Sequence, residues 1–241
     1  MRKVFLVAAA ATTTLAFAST SVAQAPAEGT FKASATPSKA GTKKKPKNVK
    51  LSFSTEVTTP NASAGTIQIK LPKQLKLSGK GFKRCNADDL VAFGVSACES
   101  AKAGPKGLAN ALVGPASSPT KTPLVLDVYP FVENDSTIMF YLDQQGGEYA
   151  NVVHGKITNG GSTITIELPI DVRQPVPQLD ASLVSIAQTF SGTRKGKYIV
   201  SSTGCANKKW KIGANITFSQ RADLTPPPGT MSKSTTVRCK K

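Results

Sequence analysis

The chain has 241 residues, with 31 Lys and Arg against 14 Asp and Glu, a formal charge of +17. A single histidine leaves little room for His-based triads or zinc sites. Charge of this size draws anionic polymers through summed long-range fields, without specifying which one. The candidates are teichoic-type polymers, acidic glycans, anionic lipid and shed nucleic acid.

The first residues, MRKVFLVAAAATTTLAFASTSVAQA, have the layout of a secretory signal peptide. Arg2 and Lys3 form the basic region, Val4 to Phe17 the apolar stretch, and Ser21-Val22-Ala23 the small residues before the cut. The apolar run is shorter than the ~20 residues that span a bilayer. Cleavage after Ala23 leaves an exported chain of formal charge +15, because only Arg2 and Lys3 are lost. No transmembrane segment is expected. Residues 24–30 read as a flexible leader, and 31–241 as a β-sandwich domain, with a two-lobe division at 31–115 and 120–241 left open.

Phe31 to Ala35 forms a first strand. Lys39, Lys43, Lys44, Lys45 and Lys47 crowd the next loop between Pro37 and Pro46. From Val49 to Val57 the chain alternates, with Val49, Leu51, Phe53 and Thr55 on one face. GTIQIKLPKQLKLSG alternates again, with Ile67, Ile69 and Leu71 inward and Gln68 and Lys70 outward.

RCNADDLVAFGVSAC follows, with Cys85 and Cys98 at its ends. Asn86 is placed to cap a short helix, Asp88 and Asp89 to fall in its first turn, and Gly94 to end it. Leu90, Val91 and Phe93 then face the domain. Residues 102–123 are rich in Gly, Pro and Ser and read as irregular chain. GPKGLANALVG within them lacks the G-K-[ST] ending of a phosphate-binding loop.

PLVLDVYPFV and TIMFYLDQ flank Glu133-Asn134-Asp135-Ser136, a hairpin signature. NVVHGKIT and STITIELPI flank Asn159-Gly160-Gly161, a stronger one, because Asn-Gly supplies positive φ angles. LDASLVSIAQTF, 179–190, fits a helix face or a strand face, and its neighbours favour strand. KYIVSST, WKIGANITFS and STTVRC complete the strands.

Cys85, Cys98, Cys205 and Cys239 all lie after the signal, and an even count in an oxidising compartment reads as disulfides. Four cysteines allow three connectivities, among which sequence does not choose. The local pairs, Cys85–Cys98 and Cys205–Cys239, are favoured because each closes a loop around plausible local structure. A hairpin of 205–219 with 232–239, centred near residue 222, places Cys205 opposite Cys239. Neither spacing suits zinc or a C-x-x-C redox pair.

The run "PSKAGTKKKPKNVKL", then "LPKQLKLSGKGFKRC", a second cysteine before a Gly-rich stretch, and "CANKKWKIGANITF" with a terminal cysteine strand resemble a group of exported, β-rich, four-cysteine actinobacterial proteins of unassigned function. The resemblance spans most of the mature chain. It implies a β-sandwich-like exported protein and carries over no site residue. The "CP" usual after each first cysteine is Cys98-Glu99 and Cys205-Ala206 here.

No catalytic residue, cofactor or metal is expected. His154 reads as a strand histidine. Among Asp127, Glu133, Asp135, Asp143, Glu148, Glu167, Asp171 and Asp180, no spacing selects a glycosidase pair. The turn explains Glu133-Asn134-Asp135 better than calcium does. Trp210 reads as core, with a glycan platform as the alternative. Tyr129, Tyr141, Tyr149 and Tyr198 make no stripe. The lysine runs lack interleaved aromatics, so no specific nucleic-acid partner is expected. The expected function is non-enzymatic association with the cell envelope or an anionic extracellular polymer or glycan, through Lys43, Lys44, Lys45 and Lys47. A glycan-binding module comes second and a glycan hydrolase third. Oligomeric state is open.

Overall fold

The computed structural model describes residues 27–59, 61–115, 118, 120–219 and 229–241. The signal segment and the start of the leader lie outside the described residues. The strands are β1 (Gly29–Thr36), β2 (Lys47–Asn48), β3 (Lys50–Val57), β4 (Ala64–Lys70), β5 (Leu75–Leu77) and β6 (Gly107–Val113). They continue as β7 (Thr122–Asn134), β8 (Thr137–Gln144), β9 (Ala150–Thr158), β10 (Thr163–Glu167) and β11 (Ala181–Phe190). The last are β12 (Thr193–Arg194), β13 (Lys197–Tyr198), β14 (Val200–Ser202), β15 (Lys209–Phe218) and β16 (Met231–Arg238). Two short helices, α1 (Ala87–Phe93) and α2 (Ile170–Arg173), interrupt them.

The chain is all-β and sandwich-like. One antiparallel sheet runs in the order β1-β3-β11-β6-β7-β8-β9-β10-β4-β15-β16. It curls until its two end strands, β1 and β16, lie against one another. A three-stranded sheet, β2-β14-β5, stands apart from it. The alternation that predicts each strand also fills the interior: Leu51, Phe53, Thr55 and Val57 of β3 are buried, as are Ile67 and Ile69 of β4. Thr55 is tolerated there because its hydroxyl donates to the Thr30 carbonyl at 2.8 Å.

β8 departs from simple alternation, with Ile138 to Leu142 all buried. Ile138, Phe140 and Leu142 belong to the main core. Met139 and Tyr141, on the other face, pack with Phe131, Leu90, Cys85 and Cys98 in a second, smaller cluster. The disulfide-clipped helix is therefore a lid on the outside of β7 and β8, and the strand beneath it reads as continuously apolar because both faces are covered. Asn86 caps α1 by accepting from the Asp88 amide at 3.1 Å, and Gly94 ends it at φ +68°. Only Leu90 of the three apolar residues points inward; Val91 and Phe93 are 68% and 72% exposed. A helix of two turns has one inward stripe, and Leu90 fills it.

Both hairpins form as expected. The second turns through Asn159, Gly160 and Gly161, all at positive φ. Of residues 179–190, Ala181–Phe190 forms strand, with a bulge between Leu183 and Ser185 that restores the inward face to Ile186 and Gln188.

Ordered chain begins before Phe31: Ala27 is buried, the Glu28 amide donates to Thr59 Oγ1 at 2.6 Å, and Gly29 opens β1. The segment 102–123 is not all irregular, because Gly107–Val113 is β6, in mid-sheet between β11 and β7. Its small residues gave too weak an apolar signal among the prolines. β11 pairs with β3 and β6, and β4 with β10 and β15, so strands from 31–115 and from 120–241 are neighbours in one sheet. Cys205 does not face Cys239 across a hairpin, since the register pairs Lys209 with Arg238. A 3₁₀ turn, Ala206–Lys208, takes up the offset, with Asn207 and Lys208 at positive φ.

Candidate functional site

The lysine loop is a built turn. The Thr42 amide donates to the Lys45 carbonyl at 3.0 Å, and the Lys45 amide donates to Thr42 Oγ1 at 3.0 Å. The Gly41 amide donates to the buried Ser202 hydroxyl at 3.0 Å, which anchors the turn to β14. Lys47 then pairs with Ser202 in the small sheet. With the backbone bonds made inward, Lys43, Lys44, Lys45 and Lys47 are all exposed.

The C-terminus is bound to the same end of the molecule. The Ala40 amide donates to the Lys240 carbonyl at 2.8 Å, and the Lys240 amide to the Ser38 carbonyl at 2.8 Å. Cys239, bonded to Cys205, holds that segment in place, and its amide donates to the Lys208 carbonyl at 3.0 Å. Lys39, Lys240 and Lys241 are exposed. No ion pair among the described residues involves Lys39, Lys43, Lys44, Lys45, Lys47, Lys240 or Lys241. The sequence reading found the loop but missed Lys240. The signal was there: Cys239-Lys240-Lys241 ends the chain, and its disulfide partner dictates where those lysines go. Ammonium groups act as hydrated point charges, without the fixed fork geometry of a guanidinium.

Both predicted disulfides form, Cys85–Cys98 and Cys205–Cys239, and no free cysteine is present among the described residues. Trp210 is fully buried, and its indole N–H donates to the Gly204 carbonyl at 3.0 Å. The glycan platform built on it is thereby excluded. Nor do Tyr129 and Tyr141 make a flat face: Tyr141 is buried, and its ring is tilted by 43° to that of Tyr129.

The carboxylates are dispersed in local contacts. His154 Nδ1 lies 3.0 Å from Glu133 Oε2, Arg84 3.4 Å from Asp135, and Asn151 Nδ2 donates to Asp171 at 2.7 Å. Asp127 and Asp143 are register partners on adjacent strands. Asp127 accepts from Lys106 Nζ at 2.7 Å and from Gln145 Nε2 at 2.6 Å. The Lys106 hydrogen bond, then that of Gln145, holds its carboxyl below the usual carboxylate range. That is the wrong direction for a general acid. No group of three metal-ligating side chains occurs among the described residues. Among them, too, no helix is long and apolar enough to cross a membrane.

Tyr149 supplies a pH prediction. Burial, and then the Asp171 charge, pushes its phenol up to about 12. Below pH ~10 both folded and unfolded chains hold the proton, and stability is full. As pH rises from there towards 12 the unfolded chain ionises first, and stability is lost. After discounting for its partial exposure, the loss is about 1 kcal/mol. Tyr149→Phe is expected to remove the highest step in a tyrosinate absorbance titration and to flatten the fall in Tm over that window.

Fold and site together define an all-β chain, stapled twice, with lysines gathered where its C-terminus is tied down. No protein-family model matches the chain, and no curated protein matches its sequence.

Proposed function

We propose that the chain is exported and associates, without catalysis, with an anionic polymer of the cell envelope through the lysine face at Lys43, Lys44, Lys45 and Lys47. The observation that carries this reading is the built turn, which spends its hydrogen bonds inward and leaves four ammonium groups exposed with no carboxylate partner among the described residues. Two disulfides suit an oxidising compartment. Contact of this kind is screened over ~10 Å at 0.1 M salt, so binding is expected to weaken steeply as salt rises.

The test is retention on immobilised poly(glycerol phosphate), with neutral dextran as control. A Lys43→Gln/Lys44→Gln/Lys45→Gln variant is expected to bind roughly 10- to 100-fold more weakly at low salt, taking up to ~1 kcal/mol per lysine. Its circular dichroism should be unchanged, because the turn is held by Thr42 and the backbone. Retention that ignores salt, or that survives the triple change, would sink the proposal.

A further inference from the structure

Gly213 stands at the centre of a ring of polar side chains on the outer face of the sheet. β15 turns Trp210, Ile212, Ala214 and Ile216 into the core, so Lys209, Lys211, Gly213 and Asn215 face outward. The register puts Lys70 of β4 on one side of Gly213 and Ser234 of β16 on the other. Lys211 and Asn215 flank it two residues away along β15, and Ser232 is the partner of Asn215. The recess these side chains border, about 440 Å³, has Gly213 in its lining.

Nothing in the backbone or the packing asks for glycine there. Its φ is outside the left-handed region, and a Cβ would meet its nearest neighbour at 3.5 Å, an ordinary contact. The ladders to β4 and β16 pass through Gly213 without a bulge. A glycine inside a strand weakens it, and away from bulges and corners it marks a place where a ligand comes close to the backbone.

The charge around the recess is of one sign. β4, β15 and β16 carry Lys70, Lys209, Lys211, Lys233 and Arg238 and no Asp or Glu. On the adjoining β10, Glu167 pairs with Thr66, four residues from Lys70. No ion pair among the described residues involves Lys70, Lys209, Lys211 or Arg238. Asn215 Oδ1 accepts from Lys70 Nζ at 2.9 Å and its Nδ2 donates to Ser232 Oγ at 3.2 Å, which fixes one side of the ring. Two ammonium groups and two hydroxyls then stand as donors around bare backbone, a set matched by a tetrahedral oxyanion.

We propose that the recess over Gly213 seats one phosphodiester group of a linear polyol phosphate chain. Lys209 and its register partner Arg238, about 13 Å further along β15, meet the same chain beyond the seat. No aromatic ring borders the recess to stack a base, which favours a polyol phosphate over nucleic acid. The seat shares no residue with the lysine loop and recognises the phosphate rather than charge alone.

The test is calorimetric titration at physiological salt in the Lys43→Gln/Lys44→Gln/Lys45→Gln background, where the loop is silent. The probes are a short glycerol phosphate oligomer and, at equal charge, oligoglutamate and oligothymidylate. The glycerol phosphate oligomer is expected to bind and the other two to bind at least tenfold more weakly. Lys70→Gln should weaken its binding by about tenfold, from the loss of a charge-assisted hydrogen bond. Gly213→Val, which fills the seat, should weaken it at least as much while Tm holds or rises, because valine suits a strand. Should that variant misfold, Lys211→Gln takes its place. Lys195→Gln, in the separate β12–β13 hairpin, removes the same charge and should change nothing. Three results overturn the proposal: unchanged binding in the Lys70 and seat variants, an equal loss in Lys195→Gln, or equal binding of either other probe. Each of them leaves the lysine loop reading standing, since the loop is already neutralised in this background.

Discussion

Trp210→Ala is expected to lower stability by about 4 kcal/mol, the largest effect of any single side-chain truncation discussed for this chain. The indole is fully buried in β15, which lies between β4 and β16, and contributes to the main core. Its N–H also satisfies the Gly204 carbonyl, just before Cys205, so truncation opens a cavity and removes that donor together. Trp210→Phe should cost about half as much, since most of the volume remains. Urea unfolding followed by circular dichroism would measure both. A loss below ~1 kcal/mol for the alanine variant would mean that the ring does not hold this part of the core together.

Cys205→Ala/Cys239→Ala is expected to cost about 4 kcal/mol by chain entropy, from a separation of 34 residues. Cys85→Ala/Cys98→Ala, with a separation of 13, should cost about 3 kcal/mol. The two should differ more in function than in stability. The first frees the C-terminal segment that bonds to Ser38 and Ala40 and brings Lys240 beside the lysine loop. The second loosens a lid on β7 and β8, away from that loop. Under conditions where both variants remain folded, poly(glycerol phosphate) retention should weaken in the first and hold in the second. Equal retention would show that the tethered C-terminus adds nothing to the contact.

The residues that could be read correctly from sequence share a cause. Val49, Leu51 and Phe53, or Ile67 and Ile69, announce their strands because one face meets the core and the other water, and a period of two records that difference. The cap at Asn86 and the turn at Asn159-Gly160 are equally local. Each depends on a backbone angle or a bond only a few residues away. The failures are of another kind. β6 was missed because glycine and alanine carry little apolar signal, and its place in mid-sheet is set by β11, some seventy residues later. Val91 and Phe93 were turned inward on hydrophobicity alone, but a short lid has room for only one inward residue, Leu90.

The candidate site divides in the same way. The lysine loop is legible as a run of charge, whereas the pairing of the four cysteines is only favoured by sequence and is chosen by the fold. Bringing Lys240 to Lys39 required the register of β15 and β16 and the three-residue turn before it. By itself, then, the sequence determined the all-β class, the capped helix and the basic loop, since periodicity, caps and charge are written within a few positions of one another. Tertiary structure alone decided the strand order, the disulfide pairing and the gathering of the lysines, because each depends on packing between residues far apart in the chain.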